Sequence, residues 1–149
     1  MEARRKAIAL LTVKEVFDLV RDDLALVEDE LARQSDTAFP AVSEVAAYLL
    51  GGGGKRLRPA LLLLSANYAG RKDRSAIRLA AVVELLHSAT LIHDDVIDSA
   101  GTRRGRPSAN ARWGNHRSVL TGDWPCELTP DTWEQTRARL AHAWLRLVH

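Results

Sequence analysis

The longest periodic segment of the chain is residues 74 to 98, RSAIRLAAVVELLHSATLIHDDVID. No glycine or proline interrupts it, and its apolar residues recur at helical spacing, at Ile77, Ala80, Ala81, Leu85, Leu91 and Ile92. This spacing predicts one long helix, and the small side chains suit close packing inside a helical bundle. The segment ends in three aspartates, Asp94, Asp95 and Asp98.

The flanking segments also indicate helices. Apolar spacing predicts four of them, over residues 13–31, 42–50, 59–69 and 109–120. Pro59 suits the first turn of the third, and the four glycines at 51–54 form a flexible corner before it. Gly101, Gly105 and Pro107 mark a loop, and no segment predicts a strand. The expected fold is all-α, an antiparallel bundle with short connections.

Bulk composition fits one globular domain of 149 residues, 46% apolar and 27% charged, with a net charge of +2. Nucleic-acid binders usually have a much larger basic excess, so we expect no nucleic-acid partner. The single cysteine cannot form an internal disulfide, and charges interrupt every apolar run before the ~18 residues of a membrane span. Lys14, Glu15 and Asp18 likewise break any signal peptide. We expect a cytoplasmic protein without a transmembrane segment.

The three aspartates predict a magnesium site for a substrate that carries a diphosphate. On a helix, Asp94 and Asp98 share one face, and we expect Asp95, about 100° away, to reach the same solvent space. Carboxylates there repel each other and meet the negative end of the helix dipole, and a divalent cation removes both penalties. The sequence has no calcium-loop or zinc-protease motif. The alternative is a solvated acidic helix end.

The segment GGGGKRLRP, residues 51 to 59, predicts a phosphate-binding turn. It is not a P-loop, because Leu49 stands where that motif needs glycine and Arg56 where it needs serine or threonine. Its glycines allow close backbone approach, and Lys55 and Arg58 can each bind a phosphate. The alternative is a solvated basic turn.

Two further basic features lie close to the aspartates in the sequence. His87 precedes Asp94 by seven residues on nearly the same helical face, where it can donate to an anion or serve only as a structural hydrogen-bonding residue. The segment RRGRP, residues 103 to 107, brings permanent cations beside the carboxylates. The alternative is that these cations and the nearby carboxylates only neutralise each other. RNA binding is disfavoured because the carboxylates would repel the phosphate backbone of RNA.

Three segments in this order and spacing, GGGGKRLRP, ELLHSATLIHDDVID (84–98) and RRGRPSAN (103–110), resemble the amino-terminal half of trans-type polyprenyl diphosphate synthases. The resemblance extends from the first helix to Asp123. It implies an isoprenoid-synthase-type helical bundle, of which this chain holds the amino-terminal half only. It also implies a Mg²⁺-dependent prenyltransferase that joins isopentenyl diphosphate to an allylic prenyl diphosphate.

The resemblance implies a role for several of the charged residues in these segments. Isopentenyl diphosphate would be bound by Lys55, Arg58, His87 and Arg104. The catalytic aspartate motif would be Asp94, Asp95 and Asp98, of which Asp94 and Asp98 would ligate Mg²⁺. Arg103 would contact the allylic diphosphate.

The last part of the sequence departs from the family pattern. We expect residues 1–123 to form the family-like half and 124–149 an unrelated tail, with a terminal helix after Thr129 and Pro130. The second aspartate-rich motif of the family is missing from the sequence. We therefore expect exposed bundle faces, homo- or hetero-oligomers if the chain folds, and negligible prenyl transfer by this chain alone. The alternatives are a non-catalytic partner subunit and a non-functional gene fragment.

Overall fold

The computed structural model describes residues 12–36 and 38–127, with side chains as far as Trp124. The elements, in chain order, are α1 Val13–Asp18, α2 Arg21–Ser35, α3 Pro40–Leu50, α4 Leu57–Tyr68, α5 Arg74–Ile97, β1 Thr102–Arg103, β2 Arg106–Pro107, α6 Ala109–Trp113 and α7 Asn115–Glu127. The all-α prediction is confirmed. The expected helix after Thr129 lies outside the described residues.

Helix α5 lies at the centre of the bundle and packs against α2, α4 and α7. Its N-cap is Asp73, whose carboxylate accepts hydrogen bonds from the backbone amides of Ser75 and Ala76 at 2.8 and 3.2 Å. This N-cap satisfies two amides that have no partner inside the helix. The buried face carries the predicted periodic residues, including Ala80, Ala81 and Ile92. Helix α5 is long and apolar enough to cross a membrane, but the core helix of a soluble protein meets the same length and composition criteria.

The single first helix predicted over residues 13–31 is wrong, because the chain breaks into α1 and α2 at Leu19 and Val20. Val20 leaves helical geometry, with φ −125° and ψ 17°, and its side chain is 1% exposed in the core. Leu19, beside it, remains 60% exposed. The break turns the chain so that α2 packs along α5, and apolar spacing does not report such a turn because it continues through both helices.

The segment after α5 is also more structured than predicted. Where no strand was expected, β1 and β2 pair antiparallel as a short hairpin, with Arg103 opposite Arg106. Its two turn residues, Arg104 and Gly105, have φ of 52° and 75°, which is the sign that a two-residue type I′ turn requires. Strands of two residues are too short to give a periodic signal.

The single helix predicted over residues 109–120 is wrong as well. Gly114, at φ 83°, divides it into α6 and α7. Helix α7 then runs through Asp123 to Glu127 without a break. Trp124, in its last part, is 7% exposed and belongs to the same core cluster as Ala46, Leu63 and Ala81. The core therefore joins α3, α4, α5 and α7.

Candidate functional site

The three aspartates lie at the carboxyl end of α5 but do not share one surface. Asp94 and Asp98 are exposed, and Asp98 is the C-cap of the helix. Asp95 is 2% exposed, and its carboxylate accepts hydrogen bonds from Nε of Arg103, which lies 2.8 Å from each oxygen. The expectation that Asp95 reaches the solvent space of the other two is therefore wrong. The displacement of about 100° turns this side chain inward instead.

The hairpin brings Arg103 to this buried carboxylate. Nη2 of Arg103 lies 2.6 Å from Oδ1 of Asp95, and the arginine side chain remains 33% exposed. Hydrogen bonding to Asp95 raises the pKa of Arg103, and the charges of Asp95, Asp94 and Asp98 raise it further. Arg103 is thus a fixed cation close to all three carboxylates.

A stack of aromatic and guanidinium groups holds the hairpin against α3 and α6. The Tyr48 hydroxyl donates to the carbonyl oxygen of Pro107 at 2.9 Å. The guanidinium of Arg106 lies 4.1 Å from the centre of the Tyr48 ring, and that of Arg112 lies 4.9 Å from it. Cation–π contacts of this kind stabilise a particular hairpin position. Tyr48 was missed in the sequence, because a contact across 59 residues leaves no local pattern.

The glycine-rich segment presents two cations to solvent. Lys55 and Arg58 are exposed, as predicted for phosphate ligands, and both line a groove of about 470 Å³. Arg104 lines the same groove and donates from Nη1 to the carbonyl oxygen of Gly53. The hairpin and the glycine-rich segment are therefore tied together at the groove.

Arg56 and Glu84, which sequence reasoning left without a role, form the wall of this groove. Nη1 of Arg56 donates to Oε1 of Glu84 at 3.1 Å, and Glu84 is 7% exposed. The family resemblance implies Arg58 and not Arg56 as a ligand. The structure gives a physical reason, because the guanidinium of Arg56 is engaged by Glu28 and Glu84.

His87 lines the adjoining cleft together with Arg103 and Arg104. Burial lowers the pKa of His87, and the charges of Arg58, Arg104 and Arg103 lower it further, while Glu84 opposes the shift. The sum of these effects favours neutral imidazole. Cations from two separate segments, the start of α4 and the hairpin, thus lie near one histidine, and this electrostatic field suits an anion.

The donor set at the end of α5 fits magnesium better than a metal held in a protein cage. Within residues 12–36 and 38–124, no group of three or more His, Cys, Asp or Glu side chains is arranged to hold a metal ion. Asp94 and Asp98 remain as two exposed carboxylates one turn apart. Magnesium typically binds one or two carboxylates and completes its shell with water and phosphate oxygens. These residues fit such an ion when it binds together with a phosphate ligand.

Comparison with known proteins identifies the family. The model of the polyprenyl synthetase family matches residues 39–138. The chain belongs to the polyprenyl synthetase family. The match passes Asp123, where the sequence pattern placed the end of the family-like part, and that boundary stays a prediction.

Individual relatives agree with this assignment. Component 2 of the heptaprenyl diphosphate synthase from Geobacillus stearothermophilus is 44% identical over 115 residues, which are 76% of this chain and 36% of that protein. The octaprenyl diphosphate synthase from Escherichia coli is 36% identical over 76% of this chain and 35% of its own length. The chain therefore spans about a third of the length of the curated relatives that it matches.

Solved structures confirm the isoprenoid-synthase-type bundle. A decaprenyl diphosphate synthase from Rhodobacter capsulatus superposes with a TM-score of 0.77 at 39% identity, over 87% of this chain and 42% of that one. A polyprenyl synthase from Caulobacter crescentus, complexed with calcium and isoprenyl diphosphate, gives 0.75 at 33% identity, over 86% and 42%.

Proposed function

We propose that this chain provides the diphosphate-binding half of a polyprenyl diphosphate synthase, which condenses isopentenyl diphosphate with an allylic prenyl diphosphate. The observation that carries the proposal is the grouping of Lys55, Arg58, His87 and Arg104 around adjoining clefts. Arg103, which lines the second cleft, interacts electrostatically with the exposed Asp94 and Asp98. The names of the relatives, all prenyl diphosphate synthases, support this substrate class.

The two diphosphates divide the site between them. Isopentenyl diphosphate binds in the basic groove, where Lys55 and Arg58 supply charge and Arg104 and His87 supply further donors. The allylic diphosphate binds at the end of α5, where Asp94 and Asp98 would hold Mg²⁺. Arg103 serves this second diphosphate, because Asp95 occupies its Nε and Nη2 and leaves Nη1 to donate outward.

The chemistry explains why fixed cations are needed. The allylic C–O bond breaks with both electrons passing to the departing diphosphate, and the double bond of isopentenyl diphosphate then attacks the allylic cation. Loss of a proton from the adduct, with the released diphosphate as the base, removes the positive charge from the hydrocarbon and leaves an allylic diphosphate one five-carbon unit longer. Mg²⁺ when bound neutralises charge on the leaving group, and Arg103, already oriented by Asp95, stabilises it without further reorganisation.

The 149 residues contain one aspartate-rich motif. We therefore expect the chain assayed alone to bind diphosphates but not to turn them over at enzymatic rates. A partner-subunit role is the second candidate, because a relative is named as component 2 of its synthase. In that case a second chain supplies the remaining groups, and mixing the two chains restores turnover.

Calorimetric titration of isopentenyl diphosphate and of pyrophosphate, with and without Mg²⁺, tests the proposal. We expect Arg58→Ala to weaken isopentenyl diphosphate binding at least about tenfold, and Asp94→Ala to abolish the Mg²⁺ dependence of pyrophosphate binding. Arg71→Ala and Asp36→Ala remove exposed charges away from the groove and serve as matched controls.

Three outcomes decide between the alternatives. Binding that is lost in Arg58→Ala and Asp94→Ala but retained in the controls supports the proposal. A flat titration of the unmodified chain contradicts it and favours a non-functional fragment. Incorporation of labelled isopentenyl diphosphate into product by the chain alone would overturn the expectation that it needs further groups.

A further inference from the structure

Arg56 lies between two proposed diphosphate ligands, Lys55 and Arg58, but its side chain is only 14% exposed and forms part of the groove wall. Its Nε and Nη2 donate to the two carboxylate oxygens of Glu28 at 2.5 and 3.0 Å. Nη1 donates to Glu84 at 3.1 Å, and Nη2 also donates to the carbonyl oxygen of Leu50 at 3.1 Å. One side chain therefore connects α2, the end of α3 and α5.

These contacts use most of the hydrogen-bonding capacity of the guanidinium. An arginine side chain has five N–H donors, and four hydrogen bonds to Glu28, Glu84 and Leu50 occupy all three of its nitrogens. Both carboxylates also neutralise its charge. Arg56 is therefore poorly placed to bind a phosphate itself, in contrast to the exposed Lys55 and Arg58 beside it.

The backbone of Arg56 is held in a conformation that arginine seldom adopts. Its φ of 46° and ψ of 36° lie in the left-handed region, and it is the N-cap of α4. Its carbonyl oxygen accepts the first hydrogen bond of that helix, from the amide of Ala60 at 3.0 Å. A residue stays in this region only where its surroundings determine it, and here the contacts to Glu28 and Glu84 do so.

We propose that Arg56 is a positioning residue, which locks the turn so that Lys55 and Arg58 project together into the groove. The role rests on the proposed function, in which those two residues bind isopentenyl diphosphate. Left-handed geometry at Arg56 sets the direction in which the chain enters α4, and Arg58 lies in the first turn of that helix. Arg56 thus acts on the ligand through its neighbours.

Arginine is required at this position because of its shape. The planar fork bonds the Glu28 carboxylate through two nitrogens while a third nitrogen reaches Glu84. A lysine ammonium has its donors on one atom and cannot make both contacts at once. Arg56→Lys therefore keeps the charge but is not expected to restore the turn.

Cleavage by a lysine-specific protease tests the positioning role without any ligand. Lys55 lies in the turn, and Lys72 lies in the exposed turn between α4 and α5 and serves as an internal control. When opening is fast relative to cleavage, the rate reports the population of the open turn. We expect the ratio of cleavage after Lys55 to cleavage after Lys72 to rise about tenfold in Arg56→Ala.

A milder variant distinguishes local opening of the turn from global unfolding. Glu28 is 49% exposed, and Glu28→Gln removes one charge from the network while leaving Glu84 in place. We expect a smaller rise of the same ratio, about threefold, with Lys72 cleavage unchanged. An unchanged ratio in Arg56→Ala and Glu28→Gln would overturn the proposal.

A double-mutant cycle on isopentenyl diphosphate affinity then separates positioning from direct contact. We expect Arg56→Ala to weaken binding about tenfold, and the double variant with Arg58→Ala to bind more tightly than the product of the two single losses predicts, because part of the Arg56 effect passes through Arg58. If the increase in Kd of the double variant equals the product of the two single increases, Arg56 contacts the ligand directly and the proposal is overturned. Unchanged affinity in Arg56→Ala would also overturn it. If the unmodified chain does not bind isopentenyl diphosphate, the proposed function fails, and the protease ratios still decide whether Arg56 holds the turn.

Discussion

Nε of Arg103 lies 2.8 Å from each carboxylate oxygen of Asp95, inside a cluster whose two other aspartates face solvent. The carboxylate is 2% exposed, whereas the arginine side chain is 33% exposed. The pair therefore spans the boundary between the interior and the cleft. The middle aspartate of the motif orients an arginine, and the outer two remain available to a metal ion.

Because Asp95 is more buried than Arg103, we expect the replacement of Arg103 to destabilise the fold more than the replacement of Asp95. Arg103→Met leaves a buried carboxylate without its cation, and we expect the free energy of unfolding to fall by about 3 kcal/mol, at the low end of the range for breaking a buried pair. Asp95→Leu leaves an arginine that can reach water, so we expect a loss of about 1 kcal/mol. Urea unfolding of both variants measures the difference. A larger loss in Asp95→Leu would contradict this account.

The exposed aspartates predict a conflict between stability and ligand binding. Asp98 is the C-cap of α5 and lies one turn after Asp94, so its charge meets both the negative end of the helix dipole and a like charge. We expect Asp98→Asn to raise the free energy of unfolding by about 0.5 kcal/mol and to weaken Mg²⁺-dependent pyrophosphate binding. Thermal unfolding and calorimetry measure the two effects.

Asp22 provides a control of opposite sign. It lies in the first turn of α2, where a negative charge is favourable, and it is exposed. Asp22→Asn should therefore lower the free energy of unfolding by a similar amount, about 0.5 kcal/mol, and leave pyrophosphate binding unchanged. Equal signs for the two variants would rule out the dipole explanation.

Much of the bundle was predictable because long helices carry strong periodic signals. The helix predicted to Asp98 ends at Ile97, with Asp98 as its C-cap, and the helix predicted at 42–50 begins only two residues earlier, at Pro40. The break at Val20 was not predictable, because apolar residues keep their spacing across it. The hairpin was missed for a different reason, since its strands contain two residues each.

The sequence predicted which residue types form the site, but not the directions in which their side chains point. Lys55, Arg58 and Asp94 carry their charges to the surface, as expected. The Asp95 side chain is buried against Arg103, which belongs to the hairpin. The Arg56 side chain is held by Glu28, which belongs to a different helix. Neighbouring residues of the same type therefore have different roles, which only the tertiary contacts distinguish.

The depressed pKa of His87 predicts a pH dependence of stability. Burial and nearby arginines lower this pKa below its ordinary value of 6.5 in the folded chain, so the unfolded chain binds more protons in the interval below 6.5. Stability therefore rises with pH through that interval and falls as the pH drops from above 6.5 through the folded pKa. His87→Gln should flatten the change between pH 7.5 and 5.5, measured by urea unfolding. An identical profile in the variant would exclude His87 as the cause.

Ligand binding should shift the same histidine in the opposite direction. A bound diphosphate favours the charged imidazole, so the complex takes up protons, and affinity gains a contribution as the pH falls toward the folded pKa. Protonation of the ligand itself, with a pKa of about 6, opposes this trend in every variant. The difference between the unmodified chain and His87→Gln therefore isolates the histidine. We expect calorimetry in buffers of different ionisation enthalpy to show proton uptake that is smaller in the variant.

The close approach of α7 to α5 predicts a severe effect at Gly122. A Cβ atom there would lie 2.4 Å from Nε2 and 2.7 Å from Cδ2 of His93, which also lies 3.3 Å from Oδ1 of Asp123. Alanine normally stabilises a helix relative to glycine by about 1 kcal/mol, but here we expect Gly122→Ala to destabilise the fold by about 1–3 kcal/mol through overpacking. Removing the ring in Gly122→Ala/His93→Ala relieves the clash, so the double variant should be more stable than the sum of the two single effects. Urea unfolding of the three variants measures this coupling, and strict additivity would show that the ring moves aside without cost.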